Sequence, residues 1–248
     1  MGWEEEIGNA LVEAVREIPA GAGILFSGGL DSSLIAHLSR KEGKDAKLYS
    51  ACTEGSHDCT WSRKAASMMG MQVHILKRND GEIIEGIRSI KRITNETSPL
   101  VLLIELPLYF IAKDSKEAAL ALGQGADELF LGYKKYEREN TSKEDFRRVI
   151  EHVAPLERKI ADSCGKKLVY PYLDKRVIDV ASSIPYNRNV MDGTRKGALR
   201  DAARSLGLAE EIAMKQKKAS QYSSGFKDAV SRMARESGMK IHEFMREL

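Results

Sequence analysis

The chain has 248 residues, of which 42% are hydrophobic and 30% are charged, and its formal net charge is +3. This length allows a sizeable core, and the small net charge does not by itself indicate a nucleic-acid partner, although one is left open. No apolar run is long enough for a membrane span, and the acidic N-terminus does not resemble a signal peptide. The three cysteines form no CxxC pattern, so neither a disulfide framework nor a zinc site is indicated, and a cytoplasmic location is predicted.

The first part of the chain alternates between helical and strand patterns. Apolar residues at helical spacing predict an amphipathic helix over 4–18. Three short strands follow, with helices between them, and the predicted strands cover 24–26, 46–53 and 72–76. Strands alternating with helices predict right-handed crossovers and a doubly wound parallel sheet, whose ligands bind at the carboxyl ends of the strands.

The segment 27–33, Ser-Gly-Gly-Leu-Asp-Ser-Ser, lies between the first strand and a helix over 30–38. Glycines let the backbone approach a ligand, and the free N–H groups of a first helical turn attract an anion. The hydroxyls of Ser27, Ser32 and Ser33 add donors, whereas Asp31 would repel phosphate unless Mg²⁺ lay between them. The alternative is an ordinary strand-turn-helix connection with an aspartate near the helix start.

The end of the second strand is a candidate adenine contact. Ala51 and Thr53 could contact the base there through backbone groups, because ligands lie at the carboxyl ends of parallel strands. The neighbouring Cys52 and Cys59 are interpreted as small core residues rather than nucleophiles.

The middle of the chain holds a helical pattern over 80–93 and an apolar segment over 100–112 that could be a buried helix or a strand. Glu105 within it is a candidate site residue, with a helix-end or surface carboxylate as the alternative. Residues 101–110 could pack in the core or form a homodimer face. A second strand-loop-helix unit follows at 118–133, where Asp127 could share a Mg²⁺ with Asp31 or interact with a helix dipole instead.

The remainder of the chain is predicted to be mostly helical. A charged loop or lid is expected at 134–143, a turn at 170–174, and helices at 143–160, 175–184, from 194 onward and 226–248. We expect a single domain over 1–248, with an α/β nucleotide-binding core over 1–140 and a mostly helical C-terminal part over 141–248.

Several ordered motifs resemble the synthetase domain of the asparagine synthetase family. SGGLDSS at 27–33 is similar to the PP-loop of the N-type ATP pyrophosphatases, and GQGADELFLGY at 123–133 resembles the family's GEGADELFGGY. YPYLD at 170–174 resembles its Val-Pro-Phe-Leu-Asp signature, and the segment 194–200 resembles its Lys-x-x-Leu-Arg helix. The resemblance implies the adenine-nucleotide α-hydrolase-like (HUP/PP-loop) type of fold.

The resemblance also implies a reaction. ATP binds with its pyrophosphate on the PP-loop, a substrate carboxylate attacks the α-phosphate, and ammonia or an amine then displaces AMP to form an amide. The pyrophosphate would be held by Ser27, Gly28, Gly29, Ser32 and Ser33, and Mg²⁺ by Asp31 and Asp127. Gly123 would approach the nucleotide, and Lys196 and Lys217 would neutralise the charge that develops during cleavage.

Two departures from the family pattern concern the source of nitrogen. Family members start with a glutaminase domain whose nucleophile is a cysteine after the initiator Met, but Gly2 holds that position here. Ammonia is therefore expected free or from a separate glutaminase subunit, or another amine is the nucleophile. The family's loop glutamate is Gln124, whose neutral amide cannot accept a proton, so we interpret it as a ligand of a substrate amide or carbonyl.

Two other functions stay open. The Gln124 change and the basic runs at 134–135 and 215–218 would suit an ATP pyrophosphatase that modifies tRNA or a cofactor precursor through an adenylated carbonyl. A non-catalytic nucleotide-binding regulator is the other, although Asp31, Asp127 and Lys196 are all retained. The segment 156–169 differs from the family pattern before YPYLD, so recognition of aspartate as the substrate carboxylate is in doubt.

Overall fold

The computed structural model describes residues 2–139, 141–191, 193–215 and 224–248. At its centre lies a sheet of five parallel strands in the order β3-β2-β1-β4-β5. The strands are β1 Gly23–Leu25, β2 Lys47–Cys52, β3 Val73–Lys77, β4 Ala119–Ala121 and β5 Lys167–Val169. The predicted α/β fold with a doubly wound parallel sheet is confirmed.

Helices flank both faces of this sheet. The first half of the chain contributes α1 Trp3–Arg16, α2 Leu30–Lys41, α3 His57–Met68, α4 Asp80–Thr94 and α5 Pro99–Asp114. The next group comprises α6 Ala126–Leu129, α7 Lys143–Arg148, α8 Ala154–Ser163, α9 Lys175–Ser183 and α10 Tyr186–Asn189. The last is α11 Gly197–Ser205, α12 Glu210–Ala213, α13 Phe226–Glu236 and α14 Ile241–Glu247.

Short elements connect these helices. A π-helical turn, Val149–Val153, joins α7 to α8, and 3-10 turns lie at Lys134–Glu137 and Pro171–Leu173. A two-stranded antiparallel ribbon, β6 Val190–Met191 and β7 Thr194–Arg195, precedes α11. This ribbon and β5 are absent from the sequence prediction, and β5 carries the sheet beyond the predicted α/β core of 1–140.

Two hydrophobic cores lie on opposite faces of the sheet because successive strand residues point to opposite sides. In β2, Leu48 belongs to the core with α1 and α2, whereas the adjacent Tyr49 belongs to the core with α4 and α5. Both faces are thus covered by helices, as a parallel sheet requires.

The apolar segment 100–112 forms most of α5, which settles the choice between helix and strand. Leu102, Leu106 and Phe110 are buried in the core, whereas Leu100 and Ile104 are exposed. The segment therefore packs mainly inward. None of the described helices, α5 included, combines the length and apolar character needed to cross a bilayer.

A disulfide joins Cys52 at the end of β2 to Cys59 in the first turn of α3. The expectation that these cysteines form no disulfide is therefore wrong. The chain turns back between the strand and the helix and brings the two Cα atoms to 5.9 Å, a proximity that a separation of seven residues does not reveal. Cys164 is a free thiol, and the predicted cytoplasmic location loses the support it drew from cysteine usage.

Candidate active site

The candidate site lies where the strand order reverses, between the carboxyl ends of β1 and β4. These strands are parallel neighbours, with Gly23 opposite Leu120 and Ile24 opposite Ala121. The loop after β1 carries SGGLDSS, and the loop after β4 carries Gly123-Gln124-Gly125. Such a reversal opens a crevice for ligands in doubly wound sheets, so the two sequence motifs meet where a ligand is expected.

The first loop has the geometry of an anion site at a helix start. Gly28 has φ +72°, and a Cβ there would lie 2.7 Å from Cδ1 of Trp61, so both backbone angle and space favour glycine. The indole N–H of Trp61 donates to the Gly28 carbonyl at 2.7 Å. Ser32 Oγ accepts from the Ser27 N–H at 3.3 Å and lies 3.4 Å from Ser27 Oγ. Both hydroxyls are thus held at the N-terminus of α2.

Lys196 joins the two loops. Its Nζ lies 2.6 Å from Oδ1 of Asp31 and 2.9 Å from Oδ1 of Asp127, and only 3% of the residue is exposed. Asp31 is on the first turn of α2 and Asp127 on α6, while Lys196 precedes α11 with φ +58°. Residues from three distant parts of the chain therefore form one charge cluster, in which Lys196 and Asp127 are buried and Asp31 is partly buried.

Two glycines allow this cluster to close. A Cβ on Gly123 would come within 3.1 Å of the Asp31 Cβ, and a Cβ on Gly132 would overlap Asp127 Oδ1 and Lys196 Cε. Gly123 was predicted as a close-approach position. Gly132 was not predicted as a site residue, although its place in GQGADELFLGY was an available signal.

Tyr172 and Arg200 hydrogen-bond to the backbone of the segments that carry the cluster. The fully buried Tyr172 donates its hydroxyl to the Asp31 carbonyl at 3.2 Å. Burial, reinforced by the charges of Asp31 and Asp127, raises the Tyr172 pKa well above its ordinary value, so this hydroxyl stays a donor. The Arg200 guanidinium donates to the carbonyls of Arg195 and Lys215 at 2.7 and 3.2 Å, which fixes the chain on either side of α11.

A cavity of about 260 Å³ opens onto this cluster. The predicted site residues that line it are Ser27, Gly29, Asp31, Ser32, Gly123, Gln124, Asp127 and Lys196. Gly28, Ser33, Ala51 and Thr53 lie outside its lining, and Lys217 lies outside the described residues. The Thr53 N–H donates to the Ser224 carbonyl at 2.9 Å. Adenine recognition by Ala51 and Thr53 stays a prediction.

Two buried carboxyl groups also line this cavity, Glu105 from α5 and Glu157 from α8. Their exposed fractions are 3% and 5%. Burial, with the charges of Glu157 and Glu96, raises the pKa of Glu105 well above its ordinary range. Burial also raises the pKa of Glu157 to about 7.

Glu105 was a sequence candidate, whereas Glu157 was not. A signal was available, because Ala154, Glu157, Ile160 and Ala161 follow helical spacing and all four are buried. A glutamate on the apolar face of a helix marks a buried carboxyl group, which makes it a candidate for a functional role.

The sheet order and the glycine-rich anion loop define a PP-loop nucleotide-binding protein of the α/β class. The family model for asparagine synthase matches residues 6–168 and 159–241, so the chain belongs to the asparagine synthase family. This confirms the family resemblance of the motifs.

Two curated asparagine synthetases agree with this assignment. A putative glutamine-hydrolyzing asparagine synthetase of Methanocaldococcus jannaschii is 28% identical over 96% of this chain and 52% of its own length. Asparagine synthetase B of Escherichia coli is 25% identical over 90% of this chain and 45% of its own length. The chain thus spans about half the length of these curated relatives. The solved structure of NMN synthetase from Francisella tularensis aligns with a TM-score of 0.47 at 14% identity, covering 98% of this chain and 83% of that one.

Proposed function

We propose that this chain is an ATP-dependent amide ligase that adenylates a carboxylate, releases pyrophosphate, and transfers the acyl group to ammonia or an amine with release of AMP. The observation that carries the proposal is the meeting of Asp31, Asp127 and Lys196 beside the SGGLDSS loop. Family membership supports the same reaction class.

The phosphate side of the reaction is assigned to the first loop. Ser27 and Ser32 supply hydroxyl donors. Gly28 and Gly29 have no side chains, so a phosphate can approach their backbone, and Ser33 lies in the first turn of α2 that follows. Lys196, with Lys217 as a second candidate, would neutralise the charge that grows on the departing pyrophosphate.

Asp31 and Asp127 fit a magnesium ion. Both carboxylates face the same place, where they contact the Lys196 ammonium group. Carboxylate oxygens are ligands that Mg²⁺ takes together with substrate phosphates. The space around the two carboxylates is small, because even a methyl group at Gly123 or Gly132 would crowd them. The metal would draw charge from the phosphate oxygens, while the chain's own residues hold the nucleotide.

The acceptor side belongs to Gln124 and the rest of the cavity wall. Gln124 can bind a substrate carbonyl or amide through its own amide group, but it cannot act as a base. The two relatives named above hydrolyse glutamine according to their names, and this chain matches about half their length. We therefore propose free ammonia, an amine, or a separate glutaminase subunit as the nitrogen source.

The test is an ATP–pyrophosphate exchange assay with Mg²⁺ and a panel of amino acids and small carboxylic acids, aspartate included. Adding ammonium should convert exchange into net formation of AMP and amide. Asp31→Ala should abolish exchange, whereas Asp179→Ala, which removes a carboxylate from an exposed ion pair on α9, should leave it unchanged.

The outcomes separate the candidate functions. Exchange with a small acid, lost in Asp31→Ala, supports the ligase. Binding of ATP without exchange on any acid of the panel contradicts it and favours the modification of a larger acceptor, such as tRNA or a cofactor precursor. Salt-sensitive binding of co-purified RNA would then identify the first of these acceptors.

A further inference from the structure

The cavity has more acidic groups than phosphate binding needs. Among the residues that the structure describes, five carboxyl groups line it, those of Asp31, Asp58, Glu105, Asp127 and Glu157. Asp31 and Asp127 are paired with Lys196, and Asp58 lies 3.6 Å from the His57 imidazole. Glu105 and Glu157 form a separate pair on two adjoining helices, α5 and α8.

The Glu157 side chain points to a missing ligand. Its Oε2 atom is buried and accepts no hydrogen bond from the part of the chain that the structure describes. A buried carboxylate oxygen without a donor is unfavourable, because water is removed and nothing replaces it. Glu157 also lines the cavity, so a rotation of its carboxyl group would turn this oxygen toward a donor bound there.

The charge of the pair defines what that donor is. Two neighbouring carboxyl groups repel each other when both are ionised, so one of them keeps its proton while the other is ionised. A pair with one proton and one negative charge attracts a small cation that carries N–H donors. An ammonium ion or a primary alkylammonium group has this charge and these donors, whereas a phosphate or carboxylate would be repelled.

We propose that Glu157 binds the ammonium or primary-amine nucleophile in this cavity and takes its proton, with Glu105 as the protonated neighbour that shares the pocket. This assignment rests on the proposed ligase function. It gives the site the base that Gln124 cannot provide, because a neutral amide does not accept a proton at ordinary pH.

The step balances with groups already named. Glu157 carboxylate removes one proton from the ammonium group, and the lone pair that this frees forms a C–N bond to the acyl carbon of the adenylate. The nitrogen then releases a second proton to water, which leaves the neutral amide. The C–O bond to the AMP phosphate breaks, and its electron pair leaves with AMP. No oxidant or reductant is involved.

The groups around Glu157 set its pH dependence. Glu105 on α5 is the neighbouring carboxyl group, and it is itself influenced by the charge of Glu96. Tyr170 and Arg158 lie beside Glu157, and Glu128 adds a further negative charge. The nearby Tyr170 and the charge of Arg158 offset part of the effect of burial, and the Glu157 pKa is about 7. Since the base must be ionised, the amine step should slow as the pH falls through about 7.

The experiment compares two half-reactions in the full chain. ATP–pyrophosphate exchange reports adenylation, and single-turnover amide formation with ammonium or methylammonium reports the amine step. The variants are Glu157→Gln and Glu105→Gln. The matched control is Glu151→Gln, which changes an exposed carboxylate in the π-helical turn before α8. Glutamine has the shape of a protonated glutamate, so the fold is expected to tolerate both buried changes.

We expect Glu157→Gln to slow the amine step by about 100-fold and to flatten its pH profile, with exchange within about twofold of wild type. Glu105→Gln should have a much smaller effect, because glutamine preserves the neutral form of this neighbour. An unchanged amine step in Glu157→Gln, or an equal loss of both half-reactions, would overturn the proposal.

A binding measurement keeps this inference apart from the ligase proposal. Saturation-transfer NMR with methylammonium chloride and no nucleotide should give a signal in wild type and Glu151→Gln that Glu157→Gln lacks. If no acid supports exchange, the ligase proposal fails, and this signal alone decides whether Glu157 forms an amine site. Equal signals in all variants would contradict the site.

Discussion

Lys196 places one positive charge between two carboxylates in a region from which water is largely excluded. A buried ion pair of this kind adds little to stability compared with an apolar substitute, but removing one partner leaves an unfavourable uncompensated charge. Here loss of the ammonium would leave two carboxylates facing each other.

Lys196→Met is therefore expected to lower the free energy of unfolding by about 3 kcal/mol in the presence of EDTA. Millimolar Mg²⁺ should restore part of this loss, because the metal would replace the missing positive charge. Urea denaturation followed by circular dichroism measures both quantities.

The control for this substitution is Lys175→Met, which removes an exposed ion pair with Asp179 and should change stability by less than about 1 kcal/mol. If Mg²⁺ fails to stabilise Lys196→Met beyond its effect on the control, the assignment of Asp31 and Asp127 to a metal would be in error.

Gly132 tests how closely the charge cluster is packed. Gly132→Ala should lower the free energy of unfolding by about 1–3 kcal/mol, because the added methyl group overlaps Asp127 and Lys196. It should also reduce ATP–pyrophosphate exchange. Thermal unfolding and the exchange assay measure these effects.

Gly81→Ala is the matched control, since the nearest atom to its new methyl group would be 3.5 Å away in Asn79. Because this position is helical, the free energy of unfolding of Gly81→Ala should equal that of wild type or exceed it by up to about 1 kcal/mol. If the two alanine variants had the same free energy of unfolding, the charge cluster would accommodate the added methyl group without loss of stability, contrary to this prediction.

Individual residues differ in how far the sequence predicts them. Ser27, Asp31 and Asp127 stand in motifs with a chemical meaning, and the structure brings them to one cavity. Lys196 was predicted only through the family resemblance, because no local pattern relates it to residues more than sixty positions away. Glu157 was missed for lack of a helical-face argument.

Among the secondary-structure elements, the long periodic segments and the short strands that lead into the two motif loops were predicted, whereas β5 and the ribbon before α11 were not. Helix α4 and strand β2 lie close to the predicted 80–93 and 46–53. Strand β5 has three residues, and the strands of the ribbon before α11 have two each. Segments this short have no resolvable period, and the neighbouring strand decides their structure.

The connection between β2 and α3 holds the disulfide, which closes a short loop. Reduction should lower the free energy of unfolding by about 2–3 kcal/mol, because the unfolded chain regains the freedom of that loop. The measurement is chemical denaturation with and without dithiothreitol, in wild type and in Cys52→Ala/Cys59→Ala.

The double variant should show no response to dithiothreitol, and Cys164→Ala should respond as wild type does. Three reactive thiols in unfolded protein that was never reduced would contradict the disulfide.

At the scale of the whole molecule, the two halves of the chain depend on each other. Helix α1 packs on α9 and α11, and β5 completes the sheet beside β4. The sequence predicted the parallel sheet from the alternation of strands and helices, but it contains no local sign of which distant helices cover α1. That choice depends on the complementary surfaces of the folded elements.

A chain of residues 1–140 should therefore fail to fold cooperatively, since α1 would lose its partners and β4 would become an exposed edge. Circular dichroism during thermal unfolding measures this, with the full chain as the control. A sharp transition in the short chain would show that the N-terminal part is an independent domain.

Lys196 lies 165 residues after Asp31, and this distance along the chain has a consequence for synthesis. The ribosome releases the N-terminal part first, so both carboxylates emerge long before the ammonium that joins them. Until α11 has left the exit tunnel, the nascent chain has the two loops without the ion that holds them together. Nucleotide can stabilise the finished site only after the segment that carries Lys196 has been made, so this site assembles well after its two loops have been synthesised.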